Sequence, residues 1–518
     1  MKRARTVTLS SDMKVPFSLL ATLLLVPSLH AAVKLPLVFS DHMVLQRDAP
    51  VPVWGWADAG EEITVAFAGQ TKKAKADAKG DWAVTLDPMP ASGEPRELTA
   101  GNQKCADVLV GEVWLASGQS NMELAVKDTL NPEAVAAAAD FPRLRLFKTR
   151  ASIAFTPKAD VAGGPWTVCS PQTAASFSAV AYFFARELQQ RLGVPVGVVV
   201  SCWGNTQAHA WMSRETLAAL PETRNGQAAW LDEVRAVPDG ETKFEEHHRE
   251  WARGSNNRPK DAPPVTQTFS KKVQAGAYNA MIAPLQRLRI RGVIWYQGES
   301  DAYKDPQAYR AIFPALVRSW RQAWGIGDFP FLYVQLANHL ARLKEPGEGP
   351  WAELREAQTL ALREPNTAMA VAVDLGGDGA NIHPKNKEDV GRRLALGARA
   401  VAYGEKIEHS GPLYESMKIE GTAVRLRFTH AEGLAAKDNA PLTGFAIAGA
   451  DKKFVWADAK VDGNCVVVSS AKVPAPVAVR YAWGDNPECN LINAAGLPAS
   501  PFRTDEWPLP GVAKKTAE

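Results

Sequence analysis

The spacing of apolar residues changes character twice along this chain. From residue 33 to about 105, short apolar runs at 35–39, 51–56, 63–67 and 83–86 are separated by Gly, Pro and Asp. Short strands at such close spacing predict a small β sandwich. From Asp107 the runs lengthen and alternate in type. Apolar stretches of strand length at 108–115, 194–200, 289–296, 329–336 and 369–375 carry few polar positions, which predicts strands buried on both faces. Between them, residues 177–192, 307–324, 351–363 and 387–403 repeat their apolar positions at helical spacing, and Gly193 and Gly404 stand where helices stop. Strand–helix alternation of this kind predicts a parallel sheet of about five strands covered on both faces. From about residue 407 short strand candidates return, as at 423–428, 444–447, 465–469 and 478–483, and predict a second β domain.

These changes divide the chain. An N-terminal β domain occupies 33–106, an α/β core occupies 107–212 and 277–405, and a C-terminal β domain occupies 406–510. A loose tail covers 511–518. The polar stretch 213–276 interrupts the core and reads as a helical insertion ending in a Pro-rich loop at 259–264. It is too long for a plain connection, and such excursions often form lids or substrate walls.

Residues 1–32 read differently. Lys2, Arg3, Arg5 and Lys14 precede an apolar run at 15–26, and small residues follow at Ala31 and Ala32. This order is that of a secretory signal, with an apolar part too short to span a bilayer comfortably. The expected destination is the periplasm or the medium. Its removal takes away four basic residues and one acidic one, so the formal charge falls from +3 to 0. No basic excess remains to attract nucleic acid or an anionic membrane. The five cysteines, Cys105, Cys169, Cys202, Cys465 and Cys489, have no metal-binding spacing. Export permits a disulfide between Cys465 and Cys489; buried thiols are the alternative.

The chemistry gathers at predicted strand ends. The first buried strand runs into Gly118-Gln119-Ser120-Asn121-Met122. A Gly two residues before a Ser permits a tight turn and leaves the hydroxyl at the carboxyl edge, where open α/β sheets place their sites. Ser120 is the candidate nucleophile. The second strand ends in Trp203-Gly204-Asn205 and the third in Gln297-Gly298-Glu299-Ser300-Asp301. After the fifth come Asp374, Asp378, Asn381 and His383. A Ser hydroxyl needs a base, and His suits that near neutral pH. His383 is the candidate base, with His339 a weaker rival and His247 and His248 placed in the polar insertion. The negative oxygen of a tetrahedral intermediate needs fixed donors. The N–H groups of Ser120 and Gly204 and the side chain of Gln297 are the candidates. Trp203, Asn205, His209 and Asn338 are candidates for contacting substrate; Trp203, Trp211 and Trp295 otherwise read as packing. Glu299 and Asp301 share one loop, poor geometry for the carboxylate pair of a glycoside hydrolase.

Five stretches carry a resemblance: FSDHMVLQR at 39–47, VPVWGWA at 51–57, DVLVGEVWLASGQSNME at 107–123, IWYQGESDA at 294–302 and NIHPKNKEDVGRRLAL at 381–396. In order and spacing the chain resembles the sialate O-acetylesterase-type enzymes of the SGNH (GDSL-like) hydrolase superfamily. The resemblance implies a flavodoxin-like α/β core flanked by β domains. It further implies cofactor-free, metal-free deacetylation of an O-acetylated sugar through an acetyl-serine intermediate. By its pattern Ser120 is the nucleophile, His383 the base, and Ser120, Gly204 and Gln297 form the oxyanion hole. One position departs. The superfamily usually has Asp three residues before the His, and this chain has Ala380. The His is then oriented by a backbone carbonyl as a dyad, by Asn381, or by a carboxylate from Asp374, Asp378 or Glu299. Sialic acid esters are the nominal substrates; acetylated xylan or pectin is the close variant, and a non-catalytic carbohydrate-binding protein the contrasting class.

Overall fold

A single long strand, β1 (Gln103–Gly118), carries the fold. The protein is described here from a computed structural model covering residues 33–252, 273–377 and 379–509. The expected signal at 1–32, the Pro-rich loop, Asp378 and the tail at 511–518 lie outside the described residues, as do the side chains of His247 and His248.

The second half of β1 is the middle of a mixed sheet. Its other strands are β2 (Phe141–Lys148), β3 (Thr167–Cys169), β4 (Val196–Cys202), β5 (Gly292–Tyr296), β6 (Phe331–Gln335) and β7 (Thr367–Val371), in the order β7-β6-β5-β1-β4-β2-β3. Every neighbouring pair is parallel except β2 with β3. Six parallel strands thus stand where five were expected. The additional one is β2, whose Arg143 and Arg145 break the apolar run. Arg145 is buried because its guanidinium meets Asp107 at 2.7 Å.

The chain adds strands first to one side of β1 and later to the other, so the order reverses at β1 between β4 and β5. Ligand sites in open α/β sheets lie at such reversals, outside the carboxyl ends. The register makes this concrete: Gly118 at the end of β1 pairs with Cys202 on one side and Tyr296 on the other.

Helices cover both faces. On one, Trp114 of β1 packs edge-on against Phe184 of α2 (Ala179–Leu192) and donates to Tyr403, just beyond α5 (Lys387–Val401). On the other, Trp295 of β5 lies among Phe313 and Trp320 of α3 (Tyr309–Trp324), which runs beside α4 (Pro350–Leu360). Both tryptophans are fully buried; burying an aliphatic or Phe side chain alone stabilises a fold by about 1.5–3 kcal/mol. Ser178 caps α2 by accepting from the Ala181 N–H, and Gly193 ends it in the left-handed conformation. The insertion forms helices at Arg214–Ala219, Pro221–Arg235 and Gly240–Ala252, with Trp230 and Phe244 packed on Phe155.

The first half of β1 belongs to the N-terminal β region. It pairs with Ser92–Ala100 and with Val44–Gln46. The boundary expected at 106/107 therefore falls inside one strand, and one continuous apolar core serves both regions. The expected strand at 35–39 is a turn, with the Phe39 N–H on the Pro36 carbonyl at 2.9 Å. The C-terminal region forms two four-stranded sheets around a separate core that includes Leu426, Ile447, Val466 and Tyr481. Cys465 and Cys489 are free thiols, like the other three cysteines. No helix of the described residues is long and apolar enough to cross a membrane.

Candidate active site

Gly118 makes the turn at the end of β1 possible. Its φ is +132°, and a Cβ there would lie 2.1 Å from the Tyr296 carbonyl oxygen. The Gln119 N–H then donates to that same oxygen at 3.0 Å, and Trp203 donates to the Gly118 carbonyl at 3.1 Å. Pinned on both sides, the chain turns into the short helix α1 (Ser120–Glu123), with Ser120 as its first residue. The Ser120 hydroxyl meets His383 Nε2 at 2.8 Å. This joins the end of the first core strand to the loop before the last helix, 263 residues apart.

Neighbouring groups hold the histidine loop. Asn381 Oδ1 accepts the His383 N–H at 2.9 Å, and Asn121 Nδ2 donates to the Ile382 carbonyl at 3.0 Å. Asn121 is buried and also donates to Glu299, while its Oδ1 accepts from Lys387 Nζ at 2.5 Å. A buried Lys–Asn–Glu group therefore lies next to the Ser–His pair. Burial pushes the Lys387 ammonium down to about 7 against the pull of Glu299, and burial raises the Glu299 carboxyl. His383 is half-buried. Desolvation first, then the charges of Lys387 and His339, hold it below 6.5.

The other expected residues distribute unevenly around this pair. Asp374 places both carboxylate oxygens on Arg393 at 2.7 Å, and Glu299 faces Asn121. Asn381 acts on the backbone of His383. Among the described residues nothing hydrogen-bonds to His383 Nδ1. Gly204 sits where a Cβ would be 3.2 Å from Ser120 Cβ, so its backbone reaches the nucleophile. Its N–H, however, donates to Glu123 Oε2 at 2.8 Å. Gln297 departs further from expectation. Its Nε2 is fully buried and donates to Gln119 at 3.2 Å, the Thr206 carbonyl at 3.1 Å and Asp301 at 2.5 Å, while Tyr309 donates to its Oε1 at 3.0 Å. That amide braces the loops. Asp301, pushed up to about 6 by burial, takes part by also accepting the Ala208 N–H. The Ser120 N–H, in the first turn of α1, has no acceptor among the described residues, as the first N–H groups of helices generally lack one within the helix.

Trp203, Trp211 and Trp295 are core residues rather than stacking platforms, at 7%, 0% and 0% exposure. Asn338 is also structural: buried, it accepts the Gly376 N–H at 2.6 Å and donates to Gly377 and Asn486 at 3.0 and 2.7 Å. His339 faces the Gly379 carbonyl at 2.8 Å and the Tyr303 hydroxyl at 3.1 Å, which removes it as a rival base. Asn205 is exposed beside Gly204, and His209 is half-buried just beyond it. Sequence reasoning passed over Asn121, Glu123 and Lys387. The signal for Lys387 was present, since it falls in line with Val390 and Leu394 on the buried stripe of α5. Among the described residues no three His, Cys, Asp or Glu side chains gather as metal ligands.

Over 514 residues the chain is 31% identical to the sialate O-acetylesterase of Mus musculus, covering 89% of this chain and 92% of that protein. It belongs to the sialate O-acetylesterase family. The Homo sapiens sialate O-acetylesterase is also 31% identical, with 90% of this chain and 92% of that one covered. Residues 248–399 match the carbohydrate esterase, sialic acid-specific acetylesterase family; the stretch holds Gln297 and His383, and Ser120 lies outside it. The crystal structure of a carbohydrate acetylesterase from Xanthomonas citri superposes with a TM-score of 0.79 at 39% identity, over 92% of this chain and 100% of that one. As a member of the sialate O-acetylesterase family, the chain is a carboxylic ester hydrolase.

Proposed function

We propose that this esterase removes O-acetyl groups from sialic acid by way of an acetyl-serine intermediate, with Ser120 and His383 as a catalytic dyad. The observation that carries the reading is the 2.8 Å contact between the Ser120 hydroxyl and His383 Nε2 at the carboxyl edge of the sheet. In the first step the Ser120 oxygen attacks the acetyl carbonyl carbon while His383 Nε2 takes its proton. The tetrahedral intermediate collapses, the C–O bond to the sugar breaks, and His383 returns the proton to the departing hydroxyl. Water then attacks the acetyl-serine carbonyl carbon with His383 again as base; the acyl bond to Ser120 breaks, His383 returns the proton to the Ser120 oxygen, and acetate leaves.

The Ser120 N–H is the first oxyanion donor. The Gly204 N–H becomes the second when Glu123 releases it, and Gln297 serves by fixing the loops. Holding such donors in place is worth about 3–4 kcal/mol each by deletion. The strand order, reversing at β1, supports an SGNH-type core spanning 107–212 and 277–405, with β domains on either side. The basic-then-apolar order of residues 1–32 supports export to the periplasm or the medium.

The test is acetate release from O-acetylated sialic acid and from acetylated xylo-oligosaccharide, with Ser120→Ala as the comparison. The sialic acid ester is expected to react faster, and Ser120→Ala to lose about three decades or more while remaining folded. Near-wild-type turnover in Ser120→Ala would remove Ser120 from the nucleophile's role, and faster reaction of the xylo-oligosaccharide would move the enzyme to plant polymers.

A further inference from the structure

Beside the Ser–His pair, at the carboxyl ends of β2 and β4, a cavity of about 560 Å³ is walled by Glu123, Lys148, Arg150, Gly163, Ser176 and Cys202, among others. Its size falls within the roughly 300–1,000 Å³ usual for small-molecule sites. It shares a wall with the site already described. Glu123 is both a lining residue and the acceptor for Gly204, and Cys202 is the β4 residue paired with Gly118. Lys148 and Arg150 stand out because both are exposed and neither joins an ion pair or side-chain hydrogen bond among the described residues. Other arginines do otherwise: Arg145, Arg393 and Arg480, for example, lie on carboxylates at 2.5–2.8 Å. Glu123 is the acid in this wall, and one of its oxygens is held by the Gly204 N–H. The wall thus presents two cations against one carboxylate.

A neutral acetylated sugar brings no charge to match such a wall. Sialic acid does, because it carries a carboxylate on its anomeric carbon, across the ring oxygen from the carbon that bears the glycerol chain where acetyl esters sit. A guanidinium and an ammonium together suit it: the first offers two parallel N–H groups to both oxygens, the second a compact charge. We propose that Lys148 and Arg150 form an anion subsite that takes the carboxylate of sialic acid while its acetyl ester lies at Ser120. The inference rests on the sialic acid esterase reading and names the residues that would make it selective.

The experiment compares wild type with Lys148→Ala, Arg150→Ala and the double variant on three esters: O-acetylated sialic acid, the methyl ester of that compound, and 4-nitrophenyl acetate. Both side chains are exposed, so the variants should fold, which circular dichroism checks. The ratio of kcat/KM on the sialic acid ester to that on 4-nitrophenyl acetate is expected to fall about ten- to hundredfold in the double variant, the size expected for lost hydrogen bonds to a charged group. Wild type should show a similar preference for the free acid over its methyl ester, and the double variant should lose it. A ratio within twofold of wild type would overturn the subsite while leaving the esterase reading intact. Calorimetric titration of the Ser120→Ala protein with free sialic acid separates the two questions. Binding that disappears when Lys148 and Arg150 are also replaced supports the subsite even where turnover is slow; binding that persists overturns it. Absence of acetate release from every ester by wild type would instead bring down the esterase reading.

Discussion

His383 works beside two basic neighbours, and this sets its pH range. In the proposed dyad its neutral form is the base, so activity is expected to rise as pH rises through its pKa and to be lost below. Burial, Lys387 and His339 all favour the neutral form, so the acid limb of kcat/KM should have its midpoint below 6.5. Replacing Lys387 with Met removes one of these charges and should move that midpoint up; an unmoved profile would show that Lys387 does not act on His383. Asn121 acts by position. Asn121→Asp loses both donors and sets a carboxylate against Glu299, releasing the Ile382 carbonyl next to the base. Misplacement of a catalytic group by about 1 Å can cost a factor of about a hundred, so kcat should drop tenfold or more with KM little changed. A change confined to KM would argue that Asn121 touches substrate instead. The meeting of Ser120 and His383 was legible because each follows an apolar run at the same edge of the expected sheet. The commitments of Gln297 and Gly204 were not, since composition names a donor and never its acceptor.

At the level of elements, the site depends on three strand ends brought level at Gly118, Cys202 and Tyr296. Gly118→Ala should cost about 3 kcal/mol or more, because the new methyl would meet the Tyr296 carbonyl oxygen and the backbone is in a region L side chains avoid. Chemical denaturation measures it; a midpoint near wild type would mean that the turn relaxes freely. The apolar runs gave five of the six parallel strands. β2 escaped because an ion pair to Asp107, from outside its own segment, is what lets Arg145 sit inside. A strand whose polar residues are neutralised from elsewhere carries no local sign of burial. The strand expected at 35–39 failed for the reverse reason: Val38 and Phe39 are buried, but Pro36 starts a turn whose carbonyl the Phe39 N–H closes.

Across the whole molecule, the C-terminal β region braces the catalytic loop. Asn486 donates to the Leu340 carbonyl at 2.6 Å and accepts from Asn338, which in turn holds Gly376 and Gly377 ahead of His383. Arg355 fastens this arrangement. Fully buried, it donates to the carbonyls of Leu336 and Ala337 in the core and of Gly484 and Asp485 in the C-terminal region, at 2.7–2.9 Å. Arg355→Met would take a donor from four carbonyls, of which Asp485 keeps the His339 N–H at 3.1 Å, and a loss of about 3–5 kcal/mol is expected, with falling activity as the C-terminal region loosens. Unfolding followed together with acetate release tests this, and full activity in a destabilised variant would show the two regions to be functionally independent. The two β regions were visible from their short, closely spaced strand runs. Their attachment was not, because contacts between distant segments leave no period in either.

The 16-residue span of β1 also bears on the order in which this protein can be made. Its first half finds its partners, Val44–Gln46 and Ser92–Ala100, in chain already synthesised. Its second half must wait for β4 and β5, the latter some 180 residues downstream. A nascent chain stalled in that interval displays one of its most apolar strands with an unpaired edge, which makes the growing polypeptide, more than the finished enzyme, the natural client of a chaperone.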